Sequence, residues 1–201
     1  AAAGRAAEEV RLVAVTKSHP LGCLEAAVEA GLTDLAENRV GELEEKVAAL
    51  GREGIRWHMV GHVQRRKAPR LLGIADLVHS VDSLRLAERF DRVVEGSEVD
   101  AVDVLVQVNT SGEDAKGGFS RSGAVEAVLE IAELPRLRVH GLMTMAPFLD
   151  DPEDTRPVFA ALRELAEKQG LSGLSMGMTN DYEVAVEEGA TQVRIGTALF
   201  K

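Results

Sequence analysis

The sequence predicts a single-domain (β/α)8 TIM barrel over residues 1-201 with a short or missing N-terminal helix, and three observations point to it. Short β-branched and aliphatic runs alternate with amphipathic stretches from one end to the other, the rhythm of a parallel sheet with right-handed helical crossovers. About eight strands fall in that rhythm, the number a closed barrel needs, although 201 residues is near the short end of its size range. No G-x-G-x-x-G follows the first strand, which weakens the alternative of an open doubly wound sheet.

The first strand is Arg11–Thr16, within "VRLVAVTKSHP": apart from Arg11, Val10 to Val15 is all aliphatic, as in a strand covered on both faces, and Pro20 stops its continuation. A helical pattern at Leu21–Ala30 leads to strand Leu32–Glu37, helix Arg39–Leu50 to strand Arg56–Gly61, and helix Gln64–Leu72 to strand Leu77–Val81. Helix Ser83–Glu95 precedes strand Asp103–Asn109, and helix Arg121–Glu133 precedes strand Arg138–Thr144. Helix Glu153–Gln169, strand Gly173–Met178, helix Asp181–Glu188 and strand Gln192–Thr197 complete the series. Gly31, Gly51, Gly96, Gly170 and Gly189 stand where helices end, as expected of C′ positions. Only Ala1 to Glu9 precede Val10, enough for a short helix at best, and only Ala198 to Lys201 follow the last strand. No linker, repeat or low-complexity segment divides the chain.

Composition narrows the class. The chain is 45% hydrophobic and 28% charged, an ordinary globular balance, and its net charge of −10 argues against nucleic acid or an anionic membrane as the main partner. The basic run Arg65 to Arg70 reads as the solvated start of a helix. Cys23 is the only cysteine, which excludes an intrachain disulfide and a thiolate metal cluster. No apolar run approaches ~18 residues and no charged-then-apolar leader is seen, so a cytoplasmic location is expected, and a monomer with it.

A barrel gathers its chemistry where the C-terminal ends of the strands meet. Leaving the strands are Lys17, Glu37 with Asn38, Gly61 with His62, Ser80 to Asp82, Asn109 with Thr110, Thr144 with Met145, "SMGM" (Ser175 to Met178) and "RIGT" (Arg194 to Thr197). Barrels commonly bind phosphate with the loops after strands seven and eight. Here Gly177 and Gly196 permit close backbone approach, while Ser175, Thr179 and Thr197 add hydroxyl donors. A phosphate site and a strand-end lysine on one face suggest pyridoxal 5′-phosphate (PLP), whose aldehyde condenses with a lysine amine. Arg194 shares the side-chain parity of Gly196 and is placed to meet the pyridine nitrogen. Arginine donates only, so that nitrogen would stay unprotonated and the cofactor would be a poorer electron sink than one facing aspartate.

Other residues read more plainly. His58 and His62 share a strand face, but no third ligand is evident; hydrogen-bonded histidines are expected, and no metal. Met143, Met145, Met176 and Met178 read as core or barrel-mouth packing. Tyr182 starts a helix, with Asp181 and Glu183 as acids complementing its dipole, and Lys116 in "EDAKGGF" reads as solvated.

The chain resembles the YggS/PROSC group, the PLP homeostasis proteins, which are single-domain barrels like the N-terminal barrel of alanine racemase. The resemblance runs from about Val10 to Phe200 through "RLVAVTK", "GLTDLAENRVGE", "RWHMVGHVQRRK", "HSVDS", "VLVQVNTSGEDAKGGF", "GLMTMAP" and "LSMGMTNDYEVAVEEGATQVRIGTALF". It implies that Lys17 is the Schiff-base lysine, that Ser175, Gly196 and Thr197 hold the phosphate, that Arg194 meets the ring nitrogen and that Asn38 is a polar neighbour of the ring. His19 stands where the group often has a second lysine, the ending stops at Lys201 without the usual glycine after "LF", and the usual N-terminal helix is missing or cut short. The implied role is a non-enzymatic PLP binder that stores or delivers the cofactor, with apo PLP-enzymes as recipients. The alternative is an amino-acid racemase-like PLP enzyme, which needs an acid/base on each face of the cofactor; in alanine racemases the second is a tyrosine from a domain this chain lacks. A third reading, a barrel used as an interaction surface, would hold only if Lys17 were dispensable.

Overall fold

The computed structural model describes residues 3–113 and 116–200. Its strands are β1 (Arg11–Val15), β2 (Asp34–Glu37), β3 (Arg56–Met59), β4 (Leu77–Val81), β5 (Val102–Asn109), β6 (Phe119–Ser120), β7 (Leu137–Met143), β8 (Gly173–Ser175) and β9 (Gln192–Ile195). Every pairing is parallel. Eight strands close a ring, β1-β2-β3-β4-β5-β7-β8-β9, sealed by the β4–β5 and β9–β1 pairings, while β6 is a two-residue branch on β5. Around it lie α1 (Leu21–Glu29), α2 (Val40–Leu50), α3 (Leu84–Val94), α4 (Ala124–Ala132), α5 (Arg156–Lys168) and α6 (Tyr182–Glu187).

Alternation along the strands divides the core into two shells. Inside, Val13, Val15, Ala36 and Val60 form one apolar cluster, and Leu77, Leu105 and Met143 form another that Met145 joins. Outside, Ala14, Leu35, Trp57 and Val104 pack against helix residues such as Leu43, Phe90 and Phe159. The face carrying Val13 and Val15 carries Lys17 next, just beyond the end of β1. That parity delivers the lysine to the mouth of the barrel.

Two elements and one glycine differ from expectation. The helix expected over Gln64–Leu72 is a 3₁₀ segment, Arg65–Leu71, because Pro69 lies inside it and lacks the N–H that an α-helical ladder requires. The helix expected from Glu153 begins with a 3₁₀ turn, Pro152–Thr155, before α5. Gly31, Gly51, Gly170 and Gly189 take positive φ at helix ends as expected, but Gly96 does not. The N-terminal segment supplies a 3₁₀ turn at Ala7–Glu9, and Ala1 and Ala2 lie outside the described residues, as does Lys201. Arg5 ties this segment to the end of α6, its Nη1 donating to the carbonyls of Ala190 at 2.6 Å and Val186 at 3.2 Å. Among the described residues no helix is long and apolar enough to cross a membrane.

Candidate functional site

The turn after β1 presents Lys17. The His19 amide donates to the Thr16 carbonyl at 3.1 Å, with Ser18 between them at φ 64, a left-handed conformation that costs a non-glycine residue of order 1 kcal/mol. Behind it lies a buried clamp joining β1, β2 and α2. Lys46 Nζ donates to the Thr16 carbonyl at 2.7 Å and to Glu37 Oε1 at 2.5 Å, and Thr16 Oγ1 donates to the same carboxylate oxygen at 2.5 Å. Burial pushes the Glu37 carboxyl above its usual range, and Lys46 and Thr16 offset only part of that. The clamp fixes Thr16 and Glu37, the residues immediately before Lys17 and Asn38. Asn38 is backed in turn by Gly61, where any Cβ would collide with the Asn38 backbone.

Lys17 and Asn38 line a cavity of about 790 Å³ at the mouth of the barrel, together with Arg194, Gly196, Thr197 and Thr179. The amine, the guanidinium and residues of the two loops expected to cooperate therefore line one cavity, although Gly177 itself does not. Gly177 takes φ +92, and a Cβ there would come within 2.6 Å of the Ala185 Cβ, so the loop after β8 lies directly on α6. A Cβ at Gly196 would sit 3.1 Å from the Val15 carbonyl, and the Leu199 and Phe200 amides donate to the Gly196 carbonyl, opening a helical turn there. Burial lowers the Arg194 guanidinium to about 10, against the pull of nearby Asp181, and leaves it a cation at neutral pH.

Ser175 is the exception, and it corrects the sequence expectation. It is completely buried and does not line the cavity; its hydroxyl oxygen receives Arg194 Nη1 at 2.7 Å and lies 2.8 Å from His79 Nδ1. A strand residue of the right parity points into the lumen below the mouth, so Thr179, four residues later in the loop, takes the place on the cavity wall.

Other sequence readings resolve as follows. His58 is a buried lumen histidine, 2.9 Å from both Asp34 Oδ1 and His79 Nε2, whereas His62 is exposed on the cavity wall with its Nδ1 2.8 Å from Asp82 Oδ2. His19 stacks against Phe200 with ring centroids 4.8 Å apart. Met143 and Met176 are buried, and Met178 is half-exposed on the cavity rim. Asp181 stands at the start of α6 as expected, and it is buried; its Oδ1 accepts the Met178 amide at 2.6 Å, and burial keeps the carboxyl above its usual range despite that bond and Arg194. Lys116 is mostly covered rather than solvated and pairs with Glu113 at 2.7 Å; Asp114 and Ala115 between them lie outside the described residues. Tyr182 begins α6 as expected but stands outside the main cavity. The sequence reading placed Asp82 at the strand ends but passed over Asp34 and His79. The available signal for His79 was a polar pair, His79 and Ser80, inside the strand "LVHSV", since a buried polar group must find partners.

Comparison with known proteins places this geometry. The family described as alanine racemase, N-terminal domain, matches residues 1–201. Pyridoxal phosphate homeostasis proteins are similar over nearly the whole chain: that of Deinococcus radiodurans is 45% identical over 202 residues, covering 100% of this chain and 93% of its own, and that of Aquifex aeolicus is 40% identical over 204 residues, covering 98% and 89%. Among solved structures, PipY of Synechococcus elongatus with PLP bound superposes at a TM-score of 0.86 with 34% identity, covering 96% of this chain and 93% of PipY. An alanine racemase of Clostridium difficile shares the fold at a TM-score of 0.77, with 14% identity and 52% of its length covered.

Proposed function

The chain belongs to the pyridoxal phosphate homeostasis proteins, within the family of the alanine racemase N-terminal domain, and from that premise we propose that it binds PLP through Lys17 and stores or delivers it in the cytoplasm without strong catalysis of its own. The observation that carries this reading is one cavity holding a strand-end amine, a buried guanidinium and two glycine loops with threonine hydroxyls. When bound, PLP supplies an aldehyde that forms a Schiff base with a primary amine. Lys17 is the residue for that bond. Gly196, Thr197 and Thr179 hold the phosphate, Asn38 flanks the ring, and Arg194 donates to the pyridine nitrogen. Ser175 serves the site through Arg194.

Apo PLP-enzymes are the fitting recipients, since a bond that exchanges with a free amine is reversible, and the barrel acts as a monomer. The family match over residues 1–201 supports one PLP-binding domain. The test is an absorption spectrum before and after borohydride, followed by peptide mapping. A visible band and a reduced adduct on Lys17, both lost in Lys17→Ala, support the reading; an adduct on Lys67 or Lys116 overturns it.

A second reading has one observation in its favour. Asp82 orients His62 on the cavity wall, and an oriented imidazole is the group that racemase-like proton transfer requires. Against it stand the donor-only Arg194 at the ring nitrogen and Tyr182, the chain's single tyrosine, lying outside the cavity.

A further inference from the structure

Beneath the cavity the lumen carries a line of polar side chains from one end of the barrel to the other. Arg194 Nη1 lies 2.7 Å from Ser175 Oγ, Ser175 Oγ 2.8 Å from His79 Nδ1, His79 Nε2 2.9 Å from His58 Nδ1, and His58 Nε2 2.9 Å from Asp34 Oδ1. Asp34, His58, His79, Ser175 and Arg194 are all buried. At the far end Arg56 Nη2 donates to Asp34 Oδ2 at 2.9 Å, and Arg11 Nε lies 3.5 Å from Oδ1.

The chemistry of the two ends fixes the direction of the line. A carboxylate only accepts, so His58 donates from Nε2; a guanidinium only donates, so Ser175 accepts from Arg194. With both rings neutral, His58 Nδ1 accepts from His79 Nε2, and His79 Nδ1 accepts the Ser175 hydroxyl proton. Every donor and acceptor on the line is then used once. The competing arrangement adds a proton to His58 and turns His79 around, so that Ser175 receives two donors and its own proton is left without a partner on the line. Asp34 gains little from that proton, because Arg56 and Arg11 already face its charge. Burial, together with the positive charge of Arg194 and Arg11, also holds His79 well below the ordinary histidine range.

We propose that Asp34, His58 and His79 are positioning residues for Arg194, acting through Ser175 as a one-way hydrogen-bond line that holds the guanidinium in a single orientation under the cavity. Arg194 Nη2 is fixed separately by the Thr144 carbonyl at 2.9 Å, so its plane is set by two contacts and the remaining donors can face a ligand. Residues at the opposite end of the barrel thereby control the cation at its mouth. Only the consequence for PLP rests on the functional reading above; the line itself does not.

The experiment uses the protein without added PLP, labelled with ¹⁵N at histidine and arginine. Long-range ¹H–¹⁵N correlation near neutral pH should show His58 and His79 as neutral Nε2–H tautomers. An imidazolium or an Nδ1–H tautomer at either ring near neutral pH overturns the direction of the line. The Arg194 guanidinium should give resolved Nη signals in the wild type. These should collapse in His79→Phe and in Ser175→Ala and return in His79→Gln, whose amide can donate to His58 and accept from Ser175. Signals that survive in His79→Phe and Ser175→Ala overturn the positioning role, whatever those variants do to melting temperature. His58→Gln provides the same readout if His79→Phe does not fold. A protein that binds no PLP but shows these tautomers fails the functional reading alone.

Discussion

The Arg194 amide donates to the Gly177 carbonyl at 2.9 Å, so the loop that follows β8 is tied to β9 just before the loop at Gly196 begins. Gly177 is held at φ +92 against α6, and a Cβ there would displace Ala185 or the loop itself. Gly177→Ala should therefore act at a distance, shifting Arg194 together with the phosphate loop. The expected result is a loss of PLP affinity of about tenfold or more, the equivalent of losing a bond to a charged group, measured by fluorescence titration. Unchanged affinity would mean the loops move independently.

Thr179, Thr197 and Ser175 separate phosphate binding from ring binding. Thr197→Val and Thr179→Val should weaken PLP by about tenfold each while leaving pyridoxal, which lacks the phosphate, nearly unaffected. Ser175→Ala should weaken both alike, since its hydroxyl supports Arg194 and does not line the cavity. A Ser175→Ala defect confined to PLP would return Ser175 to the phosphate.

The pairing of Glu37 with Lys46 predicts a steep stability response. Both side chains are buried and Lys46 also holds the Thr16 carbonyl, so removing either partner strands a buried charge. Glu37→Ala should cost about 3–5 kcal/mol in urea unfolding, and the double variant Glu37→Leu/Lys46→Met much less than the sum of the single effects. Additive losses would show that the two charges do not depend on each other.

The barrel was legible in the sequence because its cause is local: alternating aliphatic runs and amphipathic helices leave few alternatives, and the C-terminal strand ends mark the site. Lys17, Asn38, Arg194, Gly196 and Thr197 follow from that rule and all reach one cavity. Ser175 was misplaced because a short strand allows no judgement, from sequence, of how deep in the lumen a residue sits. Lys116 was read as solvated because its partner, Glu113, is set by loop geometry. The 21-residue separation of His58 and His79 hides their contact for a similar reason: only barrel register brings them within 2.9 Å.

The His79 environment predicts how stability depends on pH. Its ring is held neutral in the fold by burial and by the positive charge of Arg194 and Arg11, while the unfolded chain titrates it near its ordinary value of 6.5. Below that value the unfolded state binds the extra proton, so stability falls as pH drops, by up to about 1.4 kcal/mol per pH unit. Asp34 has the same sign at lower pH: burial opposes its charge, but His58 and Arg56 outweigh it and hold the carboxyl below 3.8, so its contribution is lost as pH falls through that depressed range. Urea midpoints from about pH 7 to about pH 5 should slope downward in the wild type and more gently in His79→Gln. Parallel slopes would remove His79 from the account.

Proton exchange at the substrate carbon distinguishes a carrier from an enzyme. With Arg194 at the pyridine nitrogen, as proposed, a donor-only guanidinium would leave nothing to hold a proton there, and charge building on an amino acid's Cα would find a weak sink. Racemisation also needs a second acid on the opposite face, and His62, oriented by Asp82, is the oriented acid/base pair on the cavity wall. Amino acids should therefore exchange with Lys17 and release PLP slowly, with deuterium from solvent entering Cα no faster than with free PLP. His62→Gln should leave that result unchanged. Rapid incorporation that disappears in both Lys17→Ala and His62→Gln would make the pair catalytic and the protein an enzyme; incorporation at the background rate, with PLP passing to an added apo-enzyme, is what a carrier requires.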